Sequence, residues 1–422
     1  MRSVPTTSLD LSSPDVVADP YPFFDAERAA HPVAWHEGLG MYLAFDHASV
    51  SAVQRDRRLG RIWTDKQPAD QLEPFNLLHR NQMMENEPPE HTRLRRPVAQ
   101  AFGRGHIERL RPRVRELAAA LLDEVDPGGF DVIADFAEPL PVLVIAELLG
   151  VPRSYAGSLR DWSQAIVRMY EVPPGPGVVE AAVAAAQDFA DLVRSLVAER
   201  RSTPAEDLIT DLVATELSED EVVAAVVLLL NAGHEASVNV FGNGLVAMLR
   251  RGLVPGGDVA LTVEEMLRFD SALQLFERTA TEDVEVGGLV VEAGQKIGVL
   301  LGSANRDPGV FDRPDEFRVN RTPNNHVAFG VGVHFCLGAP LARMELVESV
   351  THLFSSFTTL ALAGEPESRG TFVLRGYHAV PVAGARAATT GDRGPTTGDR
   401  AATTGDRAAT TGDRAATTGD RA

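Results

Sequence analysis

The chain contains one cysteine, which lies in the run Phe329-Gly330-Val331-Gly332-Val333-His334-Phe335-Cys336-Leu337-Gly338. A single thiol cannot form a disulfide within the chain. The glycines let the backbone lie close to a flat partner, because they have no Cβ. The next residues, 339–346, predict a helix whose positive N-terminus points at the sulfur and favours the thiolate. The run therefore indicates a thiolate suited to a haem iron, with a buried free cysteine as the alternative for Cys336-Leu337-Gly338 taken alone.

The whole run resembles the haem-binding loop of the cytochrome P-450 family at each of its fixed positions. These positions are Phe329, Gly330, Gly332, His334, Cys336 and Gly338. The resemblance implies heme b with Cys336 as the axial iron ligand. It also implies a mainly α (α+β) fold in which a long central helix crosses the haem beside small β-regions. A thiolate ligand favours O–O cleavage, so the implied activity is that of a monooxygenase.

The organisation of the chain agrees with one large body followed by a tail. No linker is visible before residue 384, so 1–384 are predicted to form a single haem-thiolate monooxygenase domain. Five copies of Thr-Thr-Gly-Asp-Arg then repeat every seven residues from Thr389 to Arg421. This repeat has no apolar positions for a coiled coil, so 385–422 are predicted to be disordered.

Composition and charge limit the partners. Hydrophobic residues make up 44% of the chain and charged residues 23%, as in a soluble globular protein. The net charge of −19 repels phosphate backbones, which argues against nucleic acid. The apolar run Val222–Leu230 is too short to span a bilayer, and Met1–Asp19 has no hydrophobic region of a signal peptide. We therefore expect a cytoplasmic monomer without a membrane partner.

A second motif lies in a predicted helix that follows Pro88 and Pro89. His91 and Arg95 are four residues apart and share one helix face, so they could bind carboxylates together. The alternative is a solvated helix face. The pair matches the family's propionate-binding His-x-x-x-Arg, and the resemblance adds Arg278 and His334 to the haem propionate site.

The basic residues near this motif suggest a partner. They are Arg93, Arg96, Arg104, Arg109, Arg111, Arg113 and Arg115. Members of the family dock an acidic ferredoxin on this side, and a solvated Arg-rich helix is the alternative. Because no flavin or iron–sulfur domain is expected within this sequence, the resemblance implies that electrons come from a separate ferredoxin and ferredoxin reductase.

The longest predicted helix runs from a capping box at Ser218 to about Arg250. It contains Ala232-Gly233-His234-Glu235-Ala236-Ser237, which resembles the family's oxygen-activating segment. Glu235 stands at the acid position and Ser237 completes the predicted catalytic group. Ala236 replaces the usual Thr, and Ser237 is rotated by about 100° along a helix, so it cannot simply replace the missing hydroxyl.

The spacing of Glu265 and Arg268 permits an ion pair on one helix face, as does that of Glu264 and Arg268. A capping role for Glu265 behind Thr262 is a further alternative. The resemblance matches Glu265 and Arg268 to the family's structural Glu-x-x-Arg pair. Glu316 stands where a basic third partner is usual, so Arg318 or Arg321 would have to serve.

Candidate substrate contacts come from the irregular stretch 60–87, from the long predicted helix and from the segment before Arg278. The stretch 60–87 resembles the distal wall of the family's pocket. By the same resemblance, the predicted helices 159–170 and 178–201 would form the substrate lid. The candidate residues are Met83, Met84, Ala232, Leu273, Gln274 and Phe276.

The resemblance, over about residues 15–384, implies a monooxygenase that hydroxylates or epoxidises a small molecule of bacterial secondary metabolism, using O2 and two electrons. Ala236 makes proton delivery atypical. A substrate hydroxyl with water, one-electron oxidative coupling, or peroxide as the oxidant would each account for it. A haem or ligand-binding protein without turnover is the alternative from another class.

Overall fold

The structure, a computed structural model, describes residues 4–171 and 174–387, without the side chains of Ala101, Arg104 and His106. Up to Arg386 these residues form one compact unit. The last strand ends at Arg386, two residues beyond the predicted domain boundary at 384. From residue 388 onward, the predicted repeat tail lies outside the described residues.

The described residues are mainly α-helical, and one helix is much longer than the others. The α-helices are α1 (Pro14–Ala18), α2 (Tyr21–Ala30), α3 (His47–Arg55), α4 (Glu73–Arg80), α5 (Glu90–Ala101), α6 (Arg104–Glu124), α7 (Pro139–Leu149), α8 (Ala156–Val167), α9 (Val178–Ser202), α10 (Leu208–Val213), α11 (Glu219–Leu249), α12 (Val259–Phe269), α13 (Leu301–Ala304) and α14 (Ala339–Ser356). One π-helical turn, 133–137, precedes α7.

Helix α11 forms where the sequence predicts it. Ser218 accepts a hydrogen bond from the backbone N–H of Glu221, and the Glu221 side chain accepts one from the N–H of Ser218, so the capping box is confirmed. Almost every residue from Val222 to Met248 is buried, because the helix passes through the main core. By length and composition α11 could cross a membrane, but its apolar window is 72% buried inside the protein, as in the core helix of a soluble protein.

The strands form small sheets at the side of the helical body. They are β1 (Thr6–Thr7), β2 (Val33–His36), β3 (Met41–Ala44), β4 (Leu59–Gly60), β5 (Phe130–Asp131), β6 (Leu275–Ala280), β7 (Val284–Val286), β8 (Leu289–Val291), β9 (Lys296–Leu300), β10 (Phe357–Leu362), β11 (Glu367–Ser368), β12 (Tyr377–Ala379) and β13 (Pro381–Arg386). The largest sheet has the order β1-β2-β3-β9-β6-β4. The pairs β1/β2 and β3/β9 are parallel, and the other neighbouring pairs are antiparallel. Smaller units are β10-β13-β5, β11-β12 and β7-β8.

Two predictions about local structure were wrong. The stretch 60–87, predicted to be irregular, contains α4 and a 3-10 turn at Met83–Glu85. In α4, Phe75 and Leu78 are buried at helical spacing, a short signal that the surrounding polar residues obscure. The N-cap of α12 is Asp258, which accepts a hydrogen bond from the N–H of Ala260. Thr262 is inside the helix and donates to the carbonyl of Val319 instead, so the proposed cap behind Thr262 does not exist.

Candidate active site

The loop that carries Cys336 requires glycine for two reasons. Gly330 and Gly332 have φ angles of 67° and 80°, in the left-handed region that favours glycine. A Cβ on Gly332 would lie 2.2 Å from the backbone oxygen of Gln54, so no other residue fits there. The loop is closed by a hydrogen bond of 3.0 Å from the N–H of Cys336 to the carbonyl of Phe329. The sulfur is thereby held at a fixed place in front of α14.

The surroundings of the Cys336 sulfur act on its pKa in opposite directions. Burial raises the pKa of the thiol, whereas the N–H groups of Gly338 and Ala339 and the positive charges of Arg95 and Arg343 lower it. The N–H groups at the start of α14 favour the thiolate, as the sequence predicts, but burial has the larger effect. A cation at the sulfur would supply the charge that favours the thiolate. The site therefore suits a thiolate that binds a metal ion.

Arg278 on β6 is a buried cation without an anionic partner among the described residues. It is 4% exposed, and its Nη1 donates only to the carbonyl of the neighbouring Glu277, at 2.9 Å. Burial and the charge of Arg61 together lower the pKa of Arg278 to about 9, although Glu87 and Glu85 oppose this shift. Because buried charges in proteins are normally paired, this guanidinium fits an anion from outside the chain.

The other three residues of the predicted propionate site lie together beside the cysteine loop. The rings of His91 and His334 have centroids 4.6 Å apart. His91 Nε2 is buried with no hydrogen-bond partner in the described chain, and burial lowers the pKa of His91 to about 4. His334 Nε2 lies 2.7 Å from Glu87 Oε1, and Arg95 donates to the carbonyl of Phe335 at 2.7 Å. The unpaired His91 and Arg278 fit the carboxylates of a haem, and Glu87 is a partner that the sequence did not indicate.

One face of α11 is accessible although the helix is buried. Ala232 is exposed, and Gly233 and Ala236 are partly exposed, whereas their neighbours along the helix are buried. Ala236 is four residues after Ala232 and three after Gly233, and both spacings bring it to the same side of the helix as these two residues. Small residues there leave room for a flat group and for a substrate. The structure thus brings Ala232 and Ala236 to one open face.

Ser237 points elsewhere. It lines a separate cavity of about 10 Å³ together with residues of α7 and α14, among them Leu140, Glu345 and Ser349. The rotation of about 100° between successive helical residues is the reason. Ser237 thus lines this cavity beside Glu345, in agreement with the rotation expected from the sequence, and its place in the catalytic group stays a prediction.

Glu235 is 1% exposed and is held by an arginine from the far end of the chain. Arg369 Nη1 donates to Glu235 Oε2 at 2.6 Å, and its Nη2 lies 3.9 Å from Glu138 Oε1. Burial raises the pKa of Glu235, and the charge of Arg369 opposes this rise. No sequence signal pointed to Arg369, because 134 residues separate it from Glu235. The acid next to Ala236 is therefore buried, paired on one oxygen and able to take a proton.

The candidate substrate contacts separate into two groups. Leu273, Phe276, Met83 and Met84 are partly exposed. The Phe276 ring lies near the guanidinium groups of Arg61 and Arg278. Gln274 is 0% exposed, because alternate residues of an extended segment point in opposite directions. Its amide donates to the carbonyl of Ser271 at 2.6 Å. The structure therefore does not support a substrate contact for Gln274.

The predicted structural pair is present and fully enclosed. Arg268 donates twice to Glu265 at 2.8 Å, and both side chains are 0% exposed. Arg321, rather than Arg318, is the third partner, with its Nε 2.9 Å from Glu265 Oε2. The backbone N–H of Arg318 also donates to Glu265. Glu316 contributes only its carbonyl oxygen, which accepts from both buried arginines.

The alternative ion pair between Glu264 and Arg268 does not form. Glu264 binds Arg343 at 2.6 Å and His326 at 2.9 Å. Burial opposes ionisation of Glu264, but the hydrogen bonds of these partners prevail and lower its pKa to about 2. Glu264 therefore ties α12 to α14, the helix that follows the cysteine loop.

The basic cluster is less basic than its sequence suggests. Arg93 pairs with Glu90 and Glu221, and Arg113 pairs with Glu116 and Glu147. Glu348 binds both Arg111 and Arg115. Much of the positive charge is thus neutralised by carboxylates of the same chain.

Comparisons with known proteins agree with this arrangement. Residues 259–374 match the family model described as Cytochrome P450. The cytochrome P-450 monooxygenase PikC of Streptomyces venezuelae is 34% identical, over 92% of this chain and 97% of the relative. The 6-deoxyerythronolide B hydroxylase of Saccharopolyspora erythraea is 36% identical, over 89% of this chain and 99% of the relative.

Solved structures give the same result. P450BioI in complex with an acyl carrier protein ligated to hexadec-9Z-enoic acid superposes with a TM-score of 0.84 and 29% identity, over 88% of this chain and all of the other. The bacillaene polyketide synthase cytochrome P-450 PksS of Bacillus subtilis gives a TM-score of 0.79 and 31% identity, over 89% of this chain and 100% of the other.

Proposed function

The chain belongs to the cytochrome P450 family and is a P-450 monooxygenase, and from this premise we propose that it hydroxylates or epoxidises a hydroxyl-bearing polyketide of bacterial secondary metabolism. The balance is one substrate, O2, two electrons and two protons to one oxygenated product and water. The observation that carries the proposal is the open face of α11, where Ala236 stands beside the buried acid Glu235.

The cofactor is proposed to be heme b. Its iron would bind Cys336, and its propionates would pair with Arg278, which has no anionic partner in the described chain, and with His91, whose buried Nε2 has no hydrogen-bond partner there. Arg95 and His334 would complete this site from the cysteine loop side. Bound there, the haem supplies activation of O2 with electrons from a redox partner. The chain's own residues bind and orient it, and the partly exposed Leu273, Phe276, Met83 and Met84 give the substrate an apolar wall.

The substrate class is inferred from two features. The similar PikC is a monooxygenase, the similar 6-deoxyerythronolide B hydroxylase is a hydroxylase, and the similar PksS of Bacillus subtilis is a cytochrome P-450 of polyketide biosynthesis. Ala236 leaves the protein without an alcohol at that point of α11. A substrate hydroxyl, together with water, would then complete the path for protons from Glu235. One-electron coupling and peroxide-driven oxidation are the competing mechanisms for a site with Ala236, and a binding protein without turnover would show no product coupled to NADPH.

Electron supply is proposed to come from a separate ferredoxin and ferredoxin reductase in the cytoplasm, with the enzyme acting as a monomer. The ion pairs of Arg93, Arg111, Arg113 and Arg115 weaken the docking surface predicted from their charges. We therefore infer that docking depends on shape as well as charge. Binding that weakens only moderately with added salt would agree with this, because salt screens the charge contribution within about 10 Å at 0.1 M but not the contribution of shape.

The test begins with a spectral screen of polyketide lactones, peptides and terpenoids for a Soret shift. Product per NADPH is then measured for wild type and Ala236→Thr with the selected compound and its deoxy analogue. Ala236→Thr should crowd the substrate hydroxyl and lower product yield, since packed sites tolerate added atoms poorly. The deoxy analogue should release more peroxide with the wild type. Ala232→Thr, which adds the same atoms one turn earlier on the same open face, shows whether the effect is specific to position 236 or comes from added volume anywhere on this face.

Two results would contradict the substrate-assisted path. One is better coupling of Ala236→Thr with the hydroxylated compound than of wild type. The other is a wild type that treats the deoxy analogue like the parent. Product without NADPH, from hydrogen peroxide alone and at the NADPH-driven rate, would instead favour the peroxide-driven alternative.

A further inference from the structure

A stripe of buried polar side chains follows α11 beside its open face. Asn231, His234, Glu235 and Asn239 are each at most 6% exposed. Their spacing of three, four and eight residues from Asn231 places them along one side of the helix. In the described chain, Asn231 Oδ1, both ring nitrogens of His234, Glu235 Oε1 and both amide atoms of Asn239 have no hydrogen-bond partner.

Such a concentration of unpaired atoms requires a physical cause. A buried polar atom without a partner costs about 1–3 kcal/mol, and nearly all such atoms in folded proteins are paired with protein or with ordered water. Buried waters typically bind otherwise unpaired polar groups. The stripe therefore has the donors and acceptors of a hydrated path along α11 that ends at Glu235.

The neighbours of the stripe connect it with the surface. Arg369, which binds Glu235, also lies 3.9 Å from Glu138, whose side chain is 12% exposed. Glu138 lies 3.8 Å from Arg160, a residue with a side chain 44% exposed. The loop that carries Arg369 also approaches the other end of the stripe, because a Cβ on Gly376 would lie 2.1 Å from Asn239 Oδ1. A partly exposed carboxylate thus stands at the outer end of the path.

His234 has the chemistry to pass protons along this path. Its Nδ1 lies 3.4 Å from Glu235 Oε1. Burial lowers the pKa of His234 to about 4, with Glu138 opposing and Arg369 and Arg160 adding to this shift, so the ring is neutral at neutral pH. A neutral imidazole has one donor and one acceptor nitrogen, so it can take a proton on one side and release another on the opposite side. It does not hold the proton, because its pKa is low.

We propose that His234 is a positioning residue that relays protons, through water, from Glu138 to Glu235. This inference rests on the proposed function, and it adds the route by which Glu235 is reprotonated. Each step moves one proton and no electrons. Glu235 donates its proton toward the face of Ala236 and then accepts a proton from the Nδ1 side of His234. The imidazole of His234 in turn accepts a proton at Nε2. The charged groups that face this path are Glu138, Arg160, Glu235, Arg369 and His378.

The first test is a crystal structure of the haem-loaded wild type at a resolution that shows ordered water. We expect waters within hydrogen-bond distance of both ring nitrogens of His234 and of Glu235 Oε1. In His234→Leu the waters at residue 234 should be lost. A dry wild-type site, with side chains of the protein against both nitrogens, would overturn the proposal whatever the enzyme's activity.

The second test measures product per NADPH in H2O and D2O with a surrogate ferredoxin and reductase and the polyketide lactone that gives the largest Soret shift. His234→Leu should lower coupling about tenfold, below the range of about 10²–10⁴ for a direct acid–base group, because only the waters at residue 234 are lost and those beside Asn231, Glu235 and Asn239 remain. The solvent isotope effect should increase. Hydrogen peroxide brings its own protons, so peroxide-driven product should be unchanged.

Controls separate this effect from loss of structure. His36→Phe replaces a buried histidine whose ring nitrogens are both bonded, to the Leu9 carbonyl and the Leu39 N–H, and it should leave coupling unchanged. His234→Gln keeps a polar group without the relay, and it should also lower coupling if His234→Leu does not fold. Wild-type coupling in His234→Gln would overturn the relay. Failure of the proposed function appears separately, as a wild type without product from NADPH.

Discussion

Two buried arginines of this chain lie in opposite electrostatic surroundings. Arg268, 0% exposed, binds Glu265 and donates to backbone carbonyls of the segment 305–316. Arg278, 4% exposed, donates to the carbonyl of Glu277 and has no anionic partner within residues 4–171 and 174–387. A buried charge is costly unless it is paired, so the first arginine is complete within the chain and the second needs a partner from outside. For these two arginines, the lack of an anionic partner, rather than burial alone, therefore marks the one that faces the cofactor.

The largest effect is expected at the cofactor side, from Cys336→Ser. The hydroxyl is a poor and largely protonated ligand at neutral pH, so the thiolate-type ferrous–CO band should disappear completely. The enclosed pair of Glu265 and Arg268 should keep the fold, as measured by far-UV circular dichroism. An unchanged thiolate-type band would end the assignment of Cys336.

At the enclosed ion pair, Arg268→Ala should destabilise the protein by about 3–5 kcal/mol, because it leaves Glu265 buried with less compensating charge. Unfolding by urea should show this loss in both the haem-loaded and the haem-depleted protein. Arg318→Ala, at a side chain 35% exposed, is the control and should cost about 1 kcal/mol or less. If Arg268→Ala destabilises only the haem-loaded form, the two regions are not independent.

Arg278→Ala should lower haem retention about 100-fold or more, since a lost buried charge pair of about 3–5 kcal/mol corresponds to that factor. Its haem-depleted form should be no less stable than wild type, because an unpaired buried cation is removed. Arg113→Ala, whose partners are Glu116 and Glu147, should retain haem. Equal haem content of the two variants after purification counts against a propionate contact of Arg278.

Two carboxyl groups, the unpaired Glu345 and the paired Glu264, should affect the pH dependence of stability in opposite ways. Glu345 has no polar partner among the described residues, and burial raises its pKa to about 8. Its unfolded pKa is about 4.3, so the folded protein binds the extra proton between these values and stability falls as pH rises through that window, by at most about 1.4 kcal/mol per pH unit. Glu345→Gln should remove this part of the slope in urea unfolding from pH 5 to 8.

Glu264 should behave in the opposite way. Its folded pKa of about 2 lies below the unfolded value of about 4.3, so its contribution is present above pH 4.3 and is lost as the pH falls toward 2. Glu264→Gln should therefore flatten the acid limb and leave the slope between pH 6 and 8 as in wild type. A slope change of the same sign in both variants would contradict the distinction between paired and unpaired groups.

The sequence by itself determined the features whose causes are local. The glycine positions and single thiol around Cys336, the capping box at Ser218 and the spacing of Glu265 and Arg268 depend on neighbours within a few residues, so the loop, the start of α11 and the enclosed pair could all be predicted. Ala236 was also visible in the sequence as a departure from the family's pattern.

Only the tertiary structure decided which charges find partners. Arg321 was one of two candidates until the loop before the cysteine was placed against α12, and Arg369 reaches Glu235 across 134 residues of sequence. In the part of the chain that the structure describes, Arg278 has no anionic partner and the His234 ring has no hydrogen-bond partner, and this likewise follows from how distant segments pack beside them. Spacing along the chain sets which side chains share a face, but packing of remote segments sets their burial and their pairing.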